Sequence, residues 1–159
     1  MKEQISIVQI IQLMLAPGLM ISACGLLLLG MNNKYSLVVN RIRLLNEERR
    51  RFFSKAGERD FNYEETIRLE SISKQISELV TRVSLVKNAV LYYTIAVALF
   101  VITSMFIGLL YFLEVPGLNI FVTFLFICGM IFVLIGVIYA ATETKKGFDI
   151  IKLEVKIDE

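Results

Sequence analysis

The residues of this chain that could do chemistry are few in kind and unevenly placed. There is no histidine, so the commonest general base, proton shuttle and metal ligand is missing. Both cysteines, Cys24 and Cys128, stand inside apolar stretches, where a disulfide or zinc site would have to form within lipid. They read as small apolar fillers. The acids and bases crowd into a few segments, notably Glu47-Glu48-Arg49-Arg50-Arg51, whose spacing suits local ion pairs on a solvated helix face or a docking surface. No phosphate-cradling glycine loop, paired-acid site or nucleophile elbow occurs. The expectation is no enzyme, no cofactor and no metal. A different chemistry is open to Gln9, Gln12, Ser22 and Asn32, with Glu114 as an acidic ring: the lining of a path for ions or small solutes.

The elements that would position these residues follow from composition. Of 159 residues, 56% are hydrophobic and 20% charged, too greasy for a soluble enzyme or a nucleic-acid-binding domain. Three runs hold no charged residue: Ile5 to Asn33, Asn88 to Leu113 and Val115 to Thr142. Each covers the roughly 20 residues that cross a bilayer as a helix. Barrel strands would alternate apolar and polar, and these runs do not. Ile5 to Met31, at about 1.5 Å per residue, is longer than a hydrocarbon core of about 30 Å. A kink near Pro17, with a tilted or interfacial first half, is expected.

Orientation follows from the cations. Twelve of the 17 Lys and Arg lie between Met31 and Asn88, four follow Thr142, and none lies in Glu114-Val115-Pro116-Gly117-Leu118-Asn119. The positive-inside rule puts the long segment and the carboxy terminus in the cytoplasm and the amino terminus outside. Tyr92, Tyr93 and Tyr139 then fall near the inner interface and Tyr111 near the outer one. Ile21-Ser22-Ala23-Cys24 resembles a lipoprotein cleavage box, but the apolar run continues to Met31 and meets Asn32-Asn33-Lys34, the pattern of a retained helix. Lys34, Arg41, Arg82 and Lys87 form a basic collar suited to anionic lipid headgroups or to an anion vestibule.

Between the first two spans the periodicity becomes heptad. Leu69, Ile72, Ile76, Leu79, Val83, Val86 and Val90 follow a 3-4 spacing, as do Tyr35, Val38, Ile42, Leu45, Arg49 and Phe52. Two antiparallel helices zipped as a coiled coil are expected, continuing the first and second spans. They are separated by Ser54 to Asn62, with Gly57 inside and Asn62 and Glu65 placed as an amino-terminal cap.

Ile10-Ile11-Gln12-Leu13 with Ala16-Pro17, Asn40-Arg41-Ile42-Arg43-Leu44-Leu45, and Glu78-Leu79-Val80-Thr81-Arg82 resemble an uncharacterised, domain-of-unknown-function family of small prokaryotic inner-membrane proteins. The likeness runs to about Ala141, and a charged tail follows as a departure. It implies a three-span protein with a basic helical segment after the first span, and no reaction, ligand or partner.

Small residues recur at helical spacing in the spans. Gln9, Ala16, Ala23 and Gly30 form a seven-residue column; Ser104 and Gly108 are four apart; Gly129, Gly136 and Ala140 share a face. They serve packing within one subunit or between subunits. After Gly147, a helix stop, Ile151, Leu153, Val155 and Ile157 alternate with charged residues as in a half-buried strand over 150–158. The strand would pair between subunits or with a partner's sheet; the competing form is an amphipathic helix using Phe148, Ile151 and Val155.

The expected molecule is an all-α integral membrane protein of the bacterial or archaeal inner membrane. Its parts are the first span (1–33), a cytoplasmic hairpin (34–87), spans two and three (88–142) and a tail (143–159) with the short strand. It would be a homo-oligomer, touching itself and anionic lipids and no nucleic acid, with Ala16, Ala23, Gly30 and the tail as contacts. Two functions follow: a passive channel with its pore on the oligomer axis, or a non-conducting scaffold recruiting a partner through hairpin and tail.

Overall fold

A computed structural model describes residues 7–56, 62–113 and 118–157. They form three helices in chain order: α1, Ile7–Ala56; α2, Tyr63–Leu113; and α3, Leu118–Ile157. At 50, 51 and 40 residues, each is far longer than a span requires. The first two confirm that the helices of the polar segment continue the apolar runs without a break. All three are long and apolar enough to cross a membrane.

Local chemistry explains the boundaries and continuity. Helix α2 opens on a side-chain cap: the Asn62 amide donates to Glu65 Oε2 at 3.0 Å, and Asn62 Oδ1 accepts from the Tyr63 amide at 2.7 Å. Glu64 and Glu65 put negative charge in the first turn, where it complements the helix dipole. Pro17 sits inside α1 without ending it, and its ring is buried. Span hydroxyls bond back to their own helices: Ser22 to the Gly18 carbonyl, Thr94 to Val90, Thr103 to Leu99 and Thr123 to Asn119. That satisfies them where lipid offers no partner.

The tail differs from expectation. Helix α3 continues through Gly147 to Ile157, so Ile151, Leu153, Val155 and Ile157 are helical, and no strand occurs among the described residues. At about 100° per residue these four positions do not share one face, which removes the basis for pairing them as a strand. Leu, Lys and Glu are good helix formers. A strand there would have had to find a partner, whereas the preceding helix only had to continue.

The chain divides into two compact units, Met1–Met31 with Asn88–Tyr139 and Asn32–Lys87 with Ala140–Glu159. In the first, Cys24, Ala96 and Phe100 form a buried cluster flanked by Met20, Ile21, Val97, Phe126, Phe132 and Val133. Two glycines of α3 permit this approach. A Cβ on Gly129 would lie 2.7 Å from the Phe100 ring, and one on Gly136 would lie 2.6 Å from the Tyr93 ring. The small face of the third run is therefore consumed within the subunit. Tyr92 stacks on Tyr139 and Phe132, with centroids 5.4 and 5.9 Å apart. The unit's exterior is apolar, with Leu19, Leu26, Met105, Ile120 and Phe124 exposed, as a lipid-facing surface should be.

In the second unit the heptad positions supply the core. Val38, Leu45, Ile72 and Val86 are buried, and Ile42, Phe52, Leu69, Ile76, Leu79 and Val83 are half-buried. Arg49, the one charged residue of the α1 series, is half-buried as well, whereas Tyr35 at its start is exposed. Arg68 Nε donates to Glu48 Oε1 at 2.9 Å, joining α2 to α1.

Candidate functional site

The most constrained polar group of the second unit is Glu143, the first residue after the third apolar run, with its side chain 1% exposed. A carboxylate so placed must be paired and hydrogen-bonded, because an isolated buried charge would neutralise instead. Each helix contributes to its solution. Arg82 of α2 donates from Nη2 and Nε to Glu143 Oε1 at 2.7 and 3.2 Å. Lys34 of α1 donates from Nζ to Oε2 at 3.0 Å and to Thr144 Oγ1 at 2.9 Å. The Thr144 hydroxyl in turn donates to the Ala140 carbonyl at 3.0 Å.

Gly147, one turn further along α3, completes the arrangement. A Cβ there would lie 2.8 Å from Arg82 Nη2 and 3.1 Å from Cζ. The missing side chain, read from sequence as a helix stop, instead gives the guanidinium room against the backbone. Lys34, Glu48, Arg68 and Arg82 also fix the direction of the hairpin. From the Lys34–Glu143–Arg82 clasp, Glu48 lies fourteen residues forward along α1 and its partner Arg68 fourteen back along α2, so the two helices run antiparallel.

Burial is the largest single influence on the Glu143 carboxyl and acts to raise its pKa. The hydrogen bonds and charges of Arg82 and Lys34 together outweigh it and hold the group below the ordinary carboxylate range. At neutral pH it is thus an ion pair acceptor bonded to two cations, not a proton donor or a free nucleophile. No cluster of metal-ligating side chains occurs among the described residues. The arrangement is chemically a fastener.

The sequence-predicted residues distribute unevenly around it. Of the basic collar, Lys34 and Arg82 converge on Glu143, while Arg41 and Lys87 are exposed. Gln9, Gln12, Ser22 and Asn32 are all exposed on α1. Gln9 and Gln12 lie about 60° apart around the helix, but Asn32 falls about 160° from Gln12, nearly on the opposite side. Ala16, Ala23 and Gly30 are exposed, and a Cβ on Gly30 would meet nothing within 4 Å. Glu114 lies outside the described residues. Sequence reasoning missed Glu143 as a site residue. Its signal was an acid directly after a charge-free run, with Lys34 directly after the first run and Arg82 six residues before the second.

Fold and clasp define a class: a small multi-pass helical membrane protein whose polar helices are joined by a buried carboxylate between two cations. Within that class the chain belongs to the family described as Protein of unknown function (DUF2721), which matches residues 14–153. The match includes Lys34, Arg82, Glu143 and Gly147, and it takes in most of the charged tail, which is therefore not a departure from the family. No curated protein and no solved structure matches the chain.

Proposed function

We propose that this protein is a homo-oligomeric scaffold of the bacterial or archaeal inner membrane, its polar three-helix unit facing the cytoplasm and recruiting a protein partner. The observation that carries the reading is the clasp: Glu143 bonds to Lys34 and Arg82, giving the polar unit a fixed three-helix form of the kind a docking platform needs. Charge asymmetry supports the cytoplasmic side. Exposure of Gln9, Ala16, Ala23 and Gly30 supports association between subunits, because small and amide side chains are what packed membrane helices use.

Passive conduction is the second reading, and Gln9 and Gln12, adjacent on one exposed side of α1, are what favour it. Asn32 on nearly the opposite side and Ser22 bonded to its own backbone weigh for the scaffold. The purified protein in liposomes should be oligomeric by native mass measurement and pass neither potassium nor chloride down a gradient. Flux that Gln12→Leu alters would replace the scaffold with a pore.

A further inference from the structure

Helix α1 carries a second heptad seam, separate from the one that packs on α2. Ala16, Ala23, Gly30, Leu37 and Leu44 recur every seven residues, interleaved with Gln12, Leu19, Leu26, Asn33 and Asn40, and all ten are exposed. In the apolar run, lipid alone accounts for the exposure of Leu19 and Leu26. It does not account for Leu37 and Leu44, which are 70% and 60% exposed among Arg41, Arg43 and Glu47, beyond the end of that run. Two leucines seven apart on a charged helix, in the same spacing as the span's small residues, need a covering surface.

We infer that this face binds the same face of a second copy, so that two α1 helices lie parallel about a two-fold axis. This rests on the homo-oligomer reading above and specifies its contact. Parallel is the only arrangement open to two copies inserted with the same orientation, because the same charge asymmetry directs both. In that arrangement Ala16, Ala23 and Gly30 meet their counterparts and let the backbones approach. Asn33 and Asn40 at core positions hydrogen-bond across the axis and fix the register.

From Gln12 to Leu44 is about 50 Å of helix, and at a contact width of about 10 Å two copies bury roughly 1,000 Å² together, the threshold that a specific interface has to clear.

Single cysteines test the geometry in full-length protein in liposomes, with Cys24 and Cys128 replaced by alanine. Leu37→Cys and Leu44→Cys should each form an oxidant-dependent disulfide dimer, and Ser73→Cys on the exposed side of α2 should not. Leu44→Glu should convert the dimer to monomer by native mass measurement. An oligomer that persists in Leu44→Glu and gives no disulfide at either leucine position overturns the parallel α1 contact and leaves self-association standing by another face. A wild-type protein that is monomeric overturns both.

Discussion

Glu143 shows how one side chain is governed by groups far from it in sequence. Its partners Arg82 and Lys34 lie 61 and 109 residues away, beyond the reach of any local periodicity. Counting cations identified Lys34 and Arg82 as a collar; nothing in that count distinguished them from Arg41 and Lys87, because span length and charge specify only proximity to a boundary. Glu143→Gln should destabilise the polar unit by about 3 kcal/mol, the lower end of the cost of breaking a buried pair, since both stranded cations have access to water. A denaturant melt in detergent measures this. Arg82→Met should cost more than Lys34→Met, because Arg82 makes two bonds to the carboxylate where Lys34 makes one, and is 24% exposed against 43% for Lys34. The acid side has a definite sign. A carboxylate whose folded pKa is depressed stabilises the fold above its unfolded pKa, and that contribution disappears as pH falls through the folded value. Wild-type stability should therefore decline below about pH 4, the ordinary glutamate range, more steeply than that of Glu143→Gln; equal slopes would assign the acid sensitivity to other groups.

At the scale of elements, the helices were legible because charge-free runs and heptad spacing are both local signals. Asn62 and Glu65 likewise announced the start of α2, their offset of three being what the cap requires. The tail was not legible. Its alternation from Ile151 to Ile157 satisfies a strand pattern and is compatible with a helix, and the deciding factors are the helix already running into it and the absence of a partner strand among the described residues. Gly147 misled for a related reason: a glycine can end a helix or admit a neighbour, and only the position of Arg82 distinguishes the two. Seam burial makes a graded forecast possible. Ile72 is fully buried and Ile67 is 50% exposed, so Ile72→Ala should cost about 2–4 kcal/mol and Ile67→Ala within roughly 0.5 kcal/mol, compared by the same melts.

For the whole molecule, the three spans were visible in composition, whereas the surfaces used inside the subunit were not. Gly129 and Gly136 looked equivalent to Ala16, Ala23 and Gly30 as small residues at helical spacing. The first pair is filled by aromatic rings of α2, and the second set is exposed. Sidedness is testable in sealed right-side-out vesicles. In the cysteine-replaced protein, Ser73→Cys should react with a membrane-impermeant maleimide only after permeabilisation; reaction in intact vesicles would place the hairpin outside. The clasp also bears on synthesis. A chain made from its amino terminus completes α1 and α2 while Lys34 and Arg82 still lack their acid, and the residue that joins them arrives only at the far end of the third apolar run. A chain that stops after its third apolar run, at Thr142, is therefore fully inserted yet unfastened, leaving two cations without their carboxylate and Val38, Leu45 and Ile72 held by two helices alone. Closure of the polar unit is in this way deferred until the third helix has passed its apolar run, and until then the subunit stays open to proteolysis.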